Sequence, residues 1–193
     1  MKEIILASAS PRRSELLKQV GIKFEVIPSN IKETIDESLK PEEYAKILSY
    51  EKALSVAKGL KSPSVVLGAD TIVVKNGMIM GKPQDEEEAF GMLKSLQGDW
   101  HEVITGITLI ESSGFESIGE FEKTRVKMRL LSEKDIKAYI KTGEPMDKAG
   151  AYGIQGVGAL LVEKIEGCYF NVVGLPLNRL GLMLEKFGVF ILN

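Results

Sequence analysis

The chain has 193 residues, of which 44% are hydrophobic and 27% charged, and carries a formal net charge of −2. That length is enough for a proper core in one domain spanning 1–193, and the charge excludes a global basic field that would collect nucleic acid polymers. No signal-peptide pattern follows Met1-Lys2-Glu3, and no apolar run approaches the roughly 20 residues that span a bilayer, so a cytoplasmic protein away from membranes is expected.

Ile4-Ile5-Leu6-Ala7 predicts a short buried strand, and the residues from Arg13 to Val20 predict a helix stopped by Gly21. Between them lies Ser8-Ala9-Ser10-Pro11-Arg12-Arg13, with Ser10 placed as N-cap and Pro11 at the first helical position. A strand that feeds a helix N-terminus aims free backbone N–H groups and a positive dipole end at one spot. Arg12 and Arg13 add forked donors suited to phosphate oxygens. A capped surface helix with two solvated arginines is the other reading. Phe24-Glu25-Val26-Ile27 is strand-like, and Glu33 beyond it is a ligand or an ordinary loop acid.

Pro41 to Lys58 predicts a helix in which Lys52 shares one stripe with Ala45, Leu48 and Val56. A lysine there snorkels or meets an anion. Ser64 to Val74 reads as a buried strand interrupted by Asp70, a costly place for a carboxylate unless it is paired, hydrogen-bonded or bound to metal. An aspartate capping N–H groups at a bend is the structural alternative. Lys75-Asn76-Gly77-Met78 signals a type I′ hairpin that returns through Met80 and sets Thr71 opposite Lys82. Asp70 then points nominally to the other face, unless a bulge near Gly81 turns it inward.

A helix is expected from Pro83 to Leu96, its acidic first turn serving the helix dipole more than a metal. Strands follow at Val103 to Ile110 and Gly119 to Leu130, then a capping box at Ser132-Glu133-Lys134-Asp135 that opens a helix ending near Gly143. Gly150 to Gly158 holds four glycines in nine residues, and Gln155 within it carries both donor and acceptors for a base edge. Ala159 to Ile165 predicts a strand, Pro176 to Phe187 a helix and Val189-Phe190-Ile191 a last strand. Cys168 is the only cysteine and His101 the only histidine, a poor basis for a disulfide framework or a Cys–His pair. The fold class is α/β: a mixed twisted sheet with flanking helices and a hairpin-rich middle, read as two lobes around a cleft.

Taken in order, several segments closely resemble the Maf family of nucleoside triphosphate pyrophosphatases, over Ile4 to about Pro176. They are Ser8 to Arg13, Gly68-Ala69-Asp70-Thr71-Ile72-Val73, Gly81-Lys82-Pro83-Gln84, Thr105-Gly106 and Glu144 to Gly156. The resemblance implies cleavage between the α and β phosphates with a divalent cation, Mg²⁺ or Mn²⁺, and a fold similar to the inosine triphosphate pyrophosphatases. It implies Asp70 as proton acceptor, Glu33, Lys52 and Lys82 around metal and phosphates, and Glu33 and Asp70 as metal ligands. Ser8, Ser10, Arg12, Arg13, Thr71 and Gln155 become substrate-binding residues by the same matching. Within the family, the Arg-Arg pair, the Thr after the catalytic Asp and the Gln of the glycine loop mark the branch acting on dTTP and UTP. The branch acting on 7-methyl-GTP departs from that pattern and is the first alternative. The second is a nucleotide-binding regulator of cell division without turnover, because the family name comes from septum formation. A homodimer is left open.

Overall fold

The computed structural model of the protein describes residues 2–32 and 38–192. The first strand, β1 (Glu3–Leu6), is apolar and nearly inaccessible from Ile4 onward, as a central strand must be when both of its faces are covered. It leads into α1 (Pro11–Gln19) and then β2 (Glu25–Val26), which lies parallel to it. The long helix α2 (Pro41–Ala57) precedes β3 (Ser64–Lys75), also parallel to β1 with Leu6 beside Leu67. β4 (Met78–Met80) returns antiparallel along β3, pairing Lys75 with Met78. Asn76 at φ 51° and Gly77 at φ 80° supply the two positive φ values that a type I′ turn requires.

Next come α3 (Glu86–Leu96), β5 (Trp100–Glu111), β6 (Ser117–Met128) and α4 (Glu133–Ile140). Short 3₁₀ turns then lead to β7 (Val162–Glu166), α5 (Tyr169–Val173) and α6 (Leu177–Lys186). Among the described residues the strands form one mixed sheet in the order β2-β1-β3-β5-β6-β7, with β4 on β3.

Several boundaries differ from the sequence reading, each for a local reason. The α3 helix starts at Glu86 because Asp85 accepts a capping bond from the Glu88 amide, so Pro83 stands before the helix. Residues 159–161 belong to a 3₁₀ turn, and β7 begins only at Val162. Val189 to Ile191 form no strand, and Tyr169–Val173, not assigned from the sequence, forms the short α5. Ser10 is the N-cap of α1 by position, yet its hydroxyl makes no capping bond. The capping box of α4, in contrast, is complete, with Ser132 and Asp135 each accepting from the other's amide.

The chain divides into two compact units. Unit 1 holds residues 1–70, 105–122 and 174–193, and unit 2 holds 71–104 and 123–173. In unit 1, Ile5, Ala7, Val66 and Ile110 pack against Ala53 and Val56 of α2. In unit 2, Leu93 and Leu96 of α3, Ile136 and Tyr139 of α4 and Val126 of β6 form a core cluster.

Two glycines set how closely α2 approaches the sheet. A Cβ on Gly68 would lie 2.0 Å from the Ser49 carbonyl, and one on Gly106 would lie 2.1 Å from that of Ala45. Only glycine permits that approach. The helix backbone therefore rests directly on β3 and β5.

Candidate active site

The close seating of α2 decides where Lys52 goes. Ser49 sits over Gly68, and Lys52 lies one helical turn beyond Ser49, while Asp70 lies two residues beyond Gly68 on the same face of β3. Lys52 Nζ donates to Asp70 Oδ1 at 2.5 Å, with both side chains more than nine-tenths buried. Strand alternation carries Asp70 to the α2 side, the face opposite Thr71, as the hairpin register nominally predicts. Ser49, itself buried, shares a 2.8 Å hydrogen bond with Thr108 of β5 and helps hold α2 at that height.

The β1–α1 junction lies at the same end of the sheet. Ala7 N–H donates to the Leu67 carbonyl, so the chain leaving β1 runs beside β3 just before Gly68, Ala69 and Asp70. Ser8 is buried and Ser10 half-buried at this junction. Carboxyl ends of adjacent parallel strands, followed by a helix N-terminus, form the usual ligand position of α/β sheets.

The two arginines differ. Arg12 is half-buried in the first turn of α1. Arg13 is buried, with Nε donating to the Gly174 carbonyl and Nη1 to Ser8 Oγ, both at 2.9 Å. It therefore ties the β1–α1 junction to the chain entering α6, a role that the sequence does not disclose.

Within unit 2, Thr71 follows Asp70 and points by alternation to the opposite face of β3. Its expected pairing with Lys82 lies beyond the ladder, because β4 ends at Met80 opposite Val73. Lys82 is exposed in the loop after β4. That loop is joined to the glycine segment by Gly150 N–H donating to the Gly81 carbonyl at 3.0 Å. Gly150, at φ 67°, also presses so closely on Val73 that a Cβ would meet its side chain at 2.9 Å. Gln155 is half-buried five residues further on. Glu33 lies outside the described residues.

His101 and Cys168 stand apart from this chemistry. His101 is buried, and its Nε2 shares a 2.6 Å hydrogen bond with the Tyr152 hydroxyl. Burial, helped by the nearby Lys75 charge and opposed by Asp99, lowers the imidazole to about 4. It is a neutral core histidine at ordinary pH. Cys168 is engaged through its backbone, whose N–H and carbonyl both bond the Thr124 hydroxyl. The acids opening α3 act on the helix itself: Asp85 caps it, and Glu88 accepts from the Gln84 amide.

Residues 3–187 match the family model of the Maf-like proteins. A protein of Acetivibrio thermocellus named dTTP/UTP pyrophosphatase is 56% identical, covering 100% of this chain and 99% of its own. One of the same name from Caldicellulosiruptor saccharolyticus is 52% identical, covering 97% of this chain and 96% of its own. Among solved structures, the Staphylococcus aureus Ham1 protein superposes with a TM-score of 0.52 at 18% identity, over 96% of this chain and 100% of that one. That likeness concerns the fold, which is the expected mixed α/β sheet with flanking helices.

Proposed function

The chain belongs to the Maf-like protein family, and on that premise we propose that it hydrolyses dTTP and UTP to the nucleoside monophosphate and pyrophosphate. The observation that carries this reading is the buried Lys52–Asp70 pair beside the β1–α1 junction. In this reading Asp70 accepts the proton of a water that attacks the α-phosphorus, and pyrophosphate departs. Lys52, Arg12 and the N-terminal amides of α1 supply positive charge for the triphosphate, and Arg13 and Ser8 hold that junction in shape. Lys82 adds a further cation for the phosphates. Thr71 and Gln155 are the groups proposed to read the pyrimidine edge, and Ser10 offers a hydroxyl to the phosphates.

Asp70 is a hard oxygen donor among cations, which suits Mg²⁺ or Mn²⁺ held by one or two carboxylates together with substrate phosphates. Among the described residues, no group of three or more His, Cys, Asp or Glu side chains makes a separate metal cage. Asp70, together with Glu33, is proposed to hold a cation that arrives on the nucleotide. Such a cation, when bound, offsets phosphate charge and acidifies water. No helix among the described residues is long and apolar enough to cross a membrane. A nucleotide-pool enzyme of the cytoplasm is the setting we propose.

A panel of nucleoside triphosphates incubated with the protein and Mg²⁺ tests the reading by pyrophosphate release. dTTP and UTP are expected to lead ATP, dGTP and 7-methyl-GTP by about 10²-fold or more, because polar groups set for one base edge are left unpaired by another. 7-Methyl-GTP at the head of the panel would move the protein to the other branch of the family. Binding without pyrophosphate would leave only the regulator.

A further inference from the structure

Gln155 stands in a loop that has little reason of its own to hold one shape. Gly153, Gly156 and Gly158 surround it, and glycine gives up more backbone freedom on ordering than any other residue. Two side chains from outside the loop supply the missing order. Gly153 N–H donates to the Tyr139 hydroxyl at 3.3 Å on one side of Gln155. On the other side, Val157 N–H donates to Glu144 Oε1 at 2.9 Å and Gly158 N–H to Glu144 Oε2 at 3.1 Å. Tyr139 thus holds one flank of Gln155 and Glu144 the other, and both side chains come from outside the loop.

The loop closes tightly around these two side chains. A Cβ on Gly158 would lie 2.2 Å from the Gly153 carbonyl and 2.6 Å from the Tyr139 hydroxyl. One on Gly156, whose φ is +65°, would lie 2.6 Å from Glu144 Oε1. The neck of the loop is thus pinched where the two side chains grip it, with Gln155 at the far end. Burial works against the Glu144 charge, but the two loop amides and the Tyr139 hydroxyl outweigh it, and the carboxyl titrates below its usual range. Glu144 is an acceptor for those amides at any ordinary pH. The Tyr139 ring belongs to the core of unit 2, yet its hydroxyl is turned to the loop, where packing alone has no use for it.

We propose that Tyr139 and Glu144 are positioning residues for substrate choice, presetting the loop that carries Gln155 before a nucleotide arrives. The proposal rests on the reading of Gln155 as the group that meets the base. A loop already ordered in its binding shape does not pay that ordering cost on binding, and an amide held in one place can reject a wrong base more sharply. Neither residue touches the reacting phosphates in this scheme, so their loss falls on KM and on selectivity.

The test compares Tyr139→Phe, Glu144→Gln and Gln155→Ala with the unaltered chain, using UTP and CTP, two bases that differ at the edge an amide reads. Tyr139→Phe keeps the ring and removes the hydroxyl that accepts from Gly153 N–H. It is expected to raise KM for UTP and to shrink the UTP-over-CTP preference, each by about tenfold, with kcat within about twofold. Glu144→Gln is expected to act in the same direction. Adding Tyr139→Phe to Gln155→Ala should cost little further preference, since both act through one amide. If Gln155→Ala loses the preference while folded Tyr139→Phe retains it, the positioning role is overturned and Gln155 stands as the reader. If Gln155→Ala itself keeps the preference, the reading of Gln155 falls and takes this proposal with it. Should Glu144→Gln fail to fold, Tyr139→Phe decides alone.

Discussion

Asp70 illustrates how a single residue can point to a candidate site that its neighbours conceal. Its charge inside an apolar strand is visible in the sequence, and the structure answers it with Lys52, equally buried and 2.5 Å away. Replacing Asp70 with Asn keeps the shape and removes the proposed proton acceptor. Turnover is expected to fall by about 10²–10⁴-fold, with nucleotide binding retained or tightened because charge repulsion with the phosphates is relieved. Pyrophosphate release and equilibrium binding of UTP measure the two effects separately. Near-normal kcat in a folded variant would remove Asp70 from the chemistry. Arg13 teaches the opposite lesson. Beside Arg12 in sequence it looks like a second phosphate donor, yet it commits Nε and Nη1 to Gly174 and Ser8, residues 161 and 5 positions away.

The decisive element is α2, which carries Lys52 and is held against the sheet by what two glycines lack. An added methyl at Gly106 would have to displace the Ala45 carbonyl, a backbone group that cannot swing aside. Gly106→Ala is expected to cost about 1–3 kcal/mol by overpacking and to depress kcat by moving Lys52 relative to Asp70. Gly91 of α3 meets nothing within 4 Å of its added Cβ, so Gly91→Ala should leave activity alone and stabilise by up to about 1 kcal/mol through helix propensity. Urea unfolding of the two variants reads the contrast. Equal effects at the two positions would refute the close-seating argument. Elements with a long unbroken pattern, such as α2, β3 and the hairpin after it, are legible in the sequence. The residues after Gly158 are not, because a 3₁₀ turn and a short strand draw on the same apolar composition, and only the pairing of Val162 to Glu166 with β6 separates them.

At the scale of the molecule, the division into two units runs through strands rather than between them, since β3 passes from unit 1 to unit 2 between Asp70 and Thr71. His101, in unit 2, ties stability to pH. The folded chain keeps the imidazole neutral down to about 4, whereas the unfolded chain takes up a proton below about 6.5. Stability is therefore complete above the unfolded value and is lost as pH falls toward the folded one. Linkage gives a loss of roughly 2 kcal/mol between about pH 7.5 and about pH 5. Trp100, the only tryptophan, lies next in the chain and reports unfolding by its fluorescence. In His101→Gln this part of the pH dependence should flatten; an unchanged slope would show that other groups carry it.

By itself the sequence determined the fold class, the hairpin and its turn, the helix that bears Lys52, and the family, because each rests on local periodicity, turn chemistry or an ordered set of short motifs. It also singled out Asp70, since a charge in an apolar strand is improbable without a partner. Tertiary structure alone decided which partner that was, that Arg13 faces inward, that α2 lies on bare glycine backbone, and that Tyr139 and Glu144 grip the loop of Gln155. Those are contacts between segments far apart in the chain. Their geometry depends on where strands register and how closely helices pack, quantities that no single stretch of residues encodes.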